Sequence, residues 1–301
     1  MKQSRKIKTL TEYHRLRSFG EPVHPLISVT DLETVSPEHN LSGVMVDFYS
    51  VCIKRSSNIK LKYGQQEYDF DSGVMFFMSP NQVFSLTSSG ETPAQSGWLL
   101  LIHPDFFWNT SLAKTIKQYE FFNYSVNEAL FLSEKEEKTI HDIIENIRQE
   151  YHGNLDKFSK QIIISHIETL LNYAERYYNR QFITREKSNH QILEQLENLL
   201  TGYFNSGDLI LKGLPTVQYV AEELHISPSY LGSLLRTLTG QNTQQHIHDK
   251  LIEKAKEKLT TTNLSISEIA YELGFEHSQS FSKLFKRKTN ISPLDFRQSF
   301  N

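Results

Sequence analysis

The sequence predicts an α+β protein in two parts, a strand-rich N-terminal part followed by an all-helical C-terminal domain. Three observations predict it. Short β-branched and aromatic runs alternate with turn formers from Leu41 to about Trp108, helical periodicity takes over from Ser133, and a pattern of apolar residues recurs near the C-terminus. A chain of 301 residues with 38% hydrophobic content can bury more than one core.

The runs "VMVDFYSVCI", "IKLKYG", "QEYDF", "VMFFM" and "GWLLLI" read as strands, punctuated by Ser56-Ser57-Asn58, Asp71-Ser72-Gly73 and Ser88-Ser89-Gly90. Strands at this spacing close as a small barrel or sandwich. Ahead of them, "HRLRSFGEPVHP" with Arg15 and Arg17 reads either as an arm that closes over a ligand or touches the C-terminal domain, or as a frayed terminus.

After "HPDFFW", Ser133 caps an acidic first turn, and Ile140, Ile143, Ile144 and Ile147 form one helical stripe. A second helix is predicted from about Asp156 to Arg180, with Phe158, Ile162, Ile163, Ile167, Leu170, Leu171 and Ala174 at helical spacing. The stretch "ITREKSN" that follows is polar and without period, which marks a linker. The expected divisions are 1–180, a linker at 181–189, and a domain at 190–301.

The C-terminal domain contains the repeat. Val220-Ala221, Leu224, Ile226, Leu231, Leu234 and Leu235 return about fifty residues later as Ile269-Ala270, Leu273, Phe275, Phe281, Leu284 and Phe285. Each copy has the form of a helix-turn-helix. A small Ala lets two helices cross closely, and the turn wants a residue that tolerates positive φ, which is Gly274 in copy two and the costlier His225 in copy one. Between the copies, Ile247, Leu251, Ile252, Ala255 and Leu259 lie on one face of a long helix that can hold both units rigidly.

On the second helix of copy two, Phe281, Leu284 and Phe285 point inward. Gln279, Lys283 and Lys286 therefore fall outside, flanked by Ser278, Ser280, Ser282 and Arg287. A solvated lysine face is the plain alternative, but behind it stands a duplicated helix-turn-helix. Amide and cationic side chains suit base edges in a major groove, and cations near the helix end suit phosphates. Base contacts are thus expected from Gln279 and Lys283, and in copy one from the small Ser229 and Ser233. Phosphate contacts are expected from Arg236, Lys286, Arg287 and Lys288. The formal net charge of −3 leaves such a local cationic face intact. Two readers held ~34 Å apart would enter successive major grooves on one side of the duplex.

The residues "IAYELGF", "FSKLFKRKTNISPLDFR" and "SPSYLGSLLRTLTGQ" resemble the AraC/XylS family of bacterial transcription regulators over about the last hundred residues. The resemblance implies a seven-helix domain with two helix-turn-helix units joined by a long helix. It also implies base contacts at Gln279, Lys283, Ser278 and Ser280, and at Ser229 and Ser233. Two positions depart from the family pattern: Ser233 stands where a basic residue is common, and Asn290 replaces a Gly after Thr289. The N-terminal half is similar to the cupin-type sensor barrel of such regulators, followed by dimerisation helices.

Enzyme chemistry finds little support. "GVMFFMSPNQVF" resembles the second cupin motif, but Phe84 takes the place of its ligand histidine, and no His occurs from Val44 to Phe70. His246 and His248 are two apart on a helix and share no face, while His14, His24, His39, His103, His141 and His166 form no ligand spacing. No catalytic residue, metal or other cofactor is expected. The single Cys52 reads as buried, and no run of about 18 apolar residues occurs, so a cytoplasmic protein is expected. For the barrel, Tyr49, Lys54, Phe76, Met78, Phe84 and Trp98 are the candidates to line a small-molecule effector pocket, the alternative for each being plain core. The expected partners are promoter or operator DNA, an effector, a second copy in a homodimer, and RNA polymerase, with no membrane. Two alternatives stay open: a ligand-independent regulator whose barrel only dimerises, and a cupin-like enzyme with a DNA-binding tail.

Overall fold

The structure is a computed structural model that describes residues 5–34, 41–55, 61–63, 66–68, 73–86, 96–125, 128–153, 156–184 and 186–299. It divides into two compact units, Met1–Gln181 and Phe182–Asn301.

The first unit opens with β1 (Arg5–Ile7), α1 (Leu10–Arg17) and β2 (Ile27–Asp31). Next come β3 (Leu41–Val46), β4 (Tyr49–Arg55), β5 (Leu61–Tyr63), β6 (Gln66–Tyr68), β7 (Val74–Met78), β8 (Val83–Leu86) and β9 (Ser96–Ile102). After β9 come α2 (Leu112–Thr115), β10 (Leu130–Phe131), α3 (Glu134–His152) and α4 (Ser159–Thr184). The strands form a three-stranded sheet in the order β1-β3-β8, a five-stranded antiparallel sheet in the order β10-β7-β4-β9-β2, and a small β5-β6 hairpin. Every described strand pair lies within one of these sheets. The class is mixed α+β, as expected, and the strands are arranged as two facing sheets. Ile7, Val44, Val46 and Phe84 from one meet Leu99 and Leu101 from the other, and Leu10 and Tyr13 of α1 complete that core.

Two expectations change here. The run "VMVDFYSVCI" is two strands in different sheets, because the chain turns at Asp47-Phe48, where Asp47 bonds to Ile7 O through its amide and to Lys6 through its carboxylate. The leading segment is neither an arm nor frayed. Thr9 caps α1, β2 pairs along β9, and His14 is buried with its ring 2.9 Å from Gly20 O and 2.7 Å from Ser28 Oγ. The turn formers Ser56-Ser57-Asn58, Asp71-Ser72 and Ser88-Ser89-Gly90, together with His39, lie outside the described residues.

α3 starts at the expected cap, where Ser133 and Glu136 form a reciprocal capping box, and its four isoleucines are buried. In α4 the buried stripe begins at Ile163. Phe158 and Ile162 are 59% and 39% exposed, since they flank the helix start on a side that the core does not reach. The stretch read as a linker is helical on both sides of Arg185. Two of its polar residues are buried and bonded: Gln181 accepts from Phe131 N and donates to Ala129 O, and Asn189 donates to Phe182 O. Buried amides bonded to the backbone removed the apolar signal that periodicity needs.

The second unit is helical: α5 (Glu186–Asn205), α6 (Asp208–Lys212), α7 (Val217–Glu223), α8 (Pro228–Thr239), α9 (Thr243–Thr261), α10 (Ile266–Glu272), α11 (Ser278–Thr289) and α12 (Pro293–Gln298). Side-chain caps from Thr216, Ser227, Asn242, Ser265 and Ser292 fix where α7, α8, α9, α10 and α12 begin. Its core joins both repeats to the connecting helix. Ala221, Leu231 and Leu235 pack in one cluster with Ala270, Phe281 and Phe285, and with Ile247, Leu251 and Ala255 of α9.

Both turns take the left-handed conformation, with φ of 57° at His225 and 80° at Gly274. Asn290 likewise ends α11 at φ 66°, where Gly240 ends α8 at φ 74°. Since His225 is exposed and carries left-handed strain, His225→Gly is expected to stabilise the second unit by about 1 kcal/mol. A thermal melt checks this, and a lowered midpoint would mean that the imidazole contributes more than the strain costs.

Candidate nucleic-acid interface

Each helix-turn-helix sets one helix across another at an alanine. Ala221 and Ala270 are at most 1% exposed, so the first helix of each pair lies close beneath the second. On α11, Phe281, Leu284 and Phe285 are buried in the common core. The opposite face carries Gln279, Ser280, Lys283, Lys286 and Arg287 exposed, with Ser278 and Ser282 half-buried at its edges. Among the described residues none of Lys283, Lys286 and Arg287 forms an ion pair, so their charge faces outward undiminished.

Lys288 is placed differently from the expectation. Its Nζ lies 2.7 Å from Asp249 Oδ1, and Asp249 Oδ2 accepts from Gln241 Nε2 at 2.9 Å. Desolvation works against the Asp249 carboxylate, yet these bonds hold its pKa below the ordinary value. Lys288 therefore ties α11 to α9 and, through Asp249 and Gln241, to the end of the first repeat. Helical position alone could not reveal this, because Asp249 is remote in sequence. Nearby, burial lowers the pKa of His246 and of His248, which bond separately to Thr239 and Gln244.

On α8 the corresponding face is smaller. Ser229 and Ser233 are half-buried, Arg236 is exposed, and Arg236 Nη2 donates to Ser233 Oγ at 3.3 Å. Together α8 and α11 present a polar face each, braced by α9, whose Asn242–Gln245 capping box fixes its start beside the end of α8.

In the first unit the candidate pocket residues sort by strand register. Cys52 opposes Phe76 and Leu99, Ser50 opposes Met78 and Leu101, and Lys54 opposes Val74, so Lys54, Phe76 and Met78 share the face turned toward the other sheet. Phe84 meets that face from across the core. Tyr49 and Trp98 do not. They stand on the reverse face, where Tyr49 packs on Phe107 and Phe122, and Trp98 Nε1 donates to His141 Nδ1 at 3.1 Å. Aromatic character could not distinguish a lumen from a face covered by helices. Burial pushes the Cys52 thiol pKa up, partly offset by Lys54 and Arg17, which makes it a poor nucleophile. Among the described residues, no group of three or more His, Cys, Asp or Glu could hold a metal ion, and no helix is long and apolar enough to cross a membrane.

The model of a helix-turn-helix domain family matches residues 220–299. The raffinose operon transcriptional regulatory protein RafR of Pediococcus pentosaceus is 36% identical over 84 residues, which are 28% of this chain and 30% of that protein. The uncharacterised HTH-type transcriptional regulator YfiF of Bacillus subtilis is 32% identical over 146 residues, 48% of this chain and 43% of that protein. Among solved structures, the C-terminal domain of the two-component response regulator yesN from Fusobacterium nucleatum is 30% identical, with a TM-score of 0.30, covering 35% of this chain and 95% of that one. The chain spans less than half the length of these two curated relatives. Residues 220–299, the C-terminal helix-turn-helix pair, are therefore a helix-turn-helix domain of the AraC type.

Proposed function

We propose that the chain is a sequence-specific regulator of transcription that grips duplex DNA with the outward faces of α8 and α11. One observation carries the reading: Gln279, Lys283, Lys286 and Arg287 stand together, exposed, on the second helix of a helix-turn-helix whose inner side is packed into a shared core. Gln279 and Lys283 meet base edges, with Ser278 and Ser280 beside them, while Lys286 and Arg287 meet phosphates. In copy one, Ser229 and Ser233 lie on the corresponding outward face. Residues 190–301 bind DNA and residues 1–180 serve as sensor and dimerisation domain, with 181–189 between them.

The N-terminal unit holds a small effector in a cupin-like interior, and a second copy completes a homodimer that works in the cytoplasm as a regulator and not as an enzyme. Supporting the effector site is the inner sheet face of Lys54, Phe76 and Met78, half-buried, with Phe84 opposite. A cation on a face otherwise of apolar and hydroxyl side chains favours a ligand with an anionic group. Effector binding then shifts which DNA sites the readers occupy.

Selection of duplexes from a random pool by the full-length protein tests the first claim. Enrichment of a bipartite site is expected, with affinity falling steeply as salt rises, since several phosphates are neutralised. Thermal-shift screening of small carboxylates, followed by titration on the selected site, tests the second. If no ligand alters stability, DNA affinity or association state, the effector site is plain core and the regulator works without a ligand.

A further inference from the structure

α8 and α11 are copies, and matching their inward residues sets Ser229, Gly232, Ser233 and Arg236 of α8 beside Gln279, Ser282, Lys283 and Lys286 of α11. Where α11 offers an amide and two lysines, the first two turns of α8 offer hydroxyls and bare backbone. The cation of α8 arrives from a turn later. Long helical side chains lean toward the helix N-terminus and cover the turn before their own Cα. Arg236 does this: a Cβ added at Gly232 would meet its Nη1 at 3.8 Å and its Nη2 at 4.0 Å, and Nη2 is 3.3 Å from Ser233 Oγ. Gly232 lies on the outward stripe and is nonetheless buried, consistent with the guanidinium lying across it.

The charged end of Arg236 therefore sits over the early turns of α8, the region of a recognition helix that meets base edges when the helix enters a major groove. We propose that Arg236, rather than Ser229 or Ser233, is the base-reading side chain of the first helix-turn-helix, with its fork directed to the O6/N7 edge of a guanine. At Gly232 a Cβ would only touch the fork, so a longer side chain is needed to displace it, and the Ser233 hydroxyl accepts from the guanidinium on its other side. This reassigns Arg236 from the phosphate role that its sequence position suggests, and it rests on the DNA-binding reading above.

The test repeats the duplex selection with the full-length protein and with Arg236→Ala, Arg236→Lys and Gly232→Gln, each first shown to be folded by its melting curve. Lysine keeps the charge but not the planar fork. Both Arg236 variants are expected to lose preference for guanine at the same one or two base pairs, by roughly tenfold or more, with other positions unchanged. Gly232→Gln displaces the guanidinium and should alter preference at those same base pairs. If Arg236→Ala weakens every sequence alike and lowers the salt slope by about one, or if Arg236→Lys selects like the wild type, Arg236 is a phosphate contact and the proposal is wrong. Different positions affected by Gly232→Gln and Arg236→Ala would equally overturn it. Should the wild type enrich no sequence, the failure lies with the DNA-binding reading and not with Arg236.

Discussion

Gln279→Ala/Lys283→Ala is expected to remove most of the sequence preference of the second reader, a loss of about 2–6 kcal/mol for two separated base contacts, while the protein stays folded. Both side chains are exposed and neither touches the Phe281, Leu284 and Phe285 seam, so the cost to stability should stay within about 0.5 kcal/mol. Lys286→Ala/Arg287→Ala should behave otherwise, weakening selected and scrambled duplexes alike and lowering the salt slope by about two. Titrating each variant on a selected and a scrambled duplex at two salt concentrations separates the classes. A Gln279→Ala/Lys283→Ala protein that still prefers the selected duplex as strongly as the wild type would show that α11 does not read bases.

The second unit was legible because independent signals coincided there. The recurring apolar pattern, the small residue at each helix crossing and a turn residue at each corner all placed the same elements. α6 escaped because Gly207 and Gly213 flank a five-residue helix, and a short apolar segment between two breakers has no room to display a period. In the first unit the signals parted. β2 hides its nature, since Ser28 and Thr30 alternate with Ile27 and Val29 yet all four are buried, the polar side being satisfied by His14. Register then decided what composition could not: a shift of one residue separates Tyr49 from Ser50, and with it a face covered by helices from a face turned to the opposite sheet. In the reader, sequence position gave the outward stripe, but the direction in which Arg236 leans and the partner that Lys288 finds depend on neighbours a turn or a helix away.

Gly274→Ala is expected to cost the second unit about 3 kcal/mol, enough to lower its melting midpoint by several degrees or more and to abolish DNA binding near that temperature. Positive φ alone does not set this figure, because copy one holds a histidine at the equivalent corner at φ 57°. What differs is the packing over the corner. A Cβ at Gly274 would stand 2.7 Å from Leu209 O, 3.0 Å from Gly213 Cα and 3.2 Å from Gly213 C, all backbone atoms of α6 and its exit. A side chain could rotate away, but these atoms move only if α6 shifts, and Leu209 is buried in the core that both repeats share. The left-handed strain and the backbone clash therefore add, whereas His225→Gly at the other corner relieves strain without filling any space. The two variants should move the midpoint in opposite directions, which a paired melt can read directly. If Gly274→Ala melts with the wild type, then α6 does not press on the second corner as drawn, and the packing that aims α11 would have to come from α9, α10 and α12 without it.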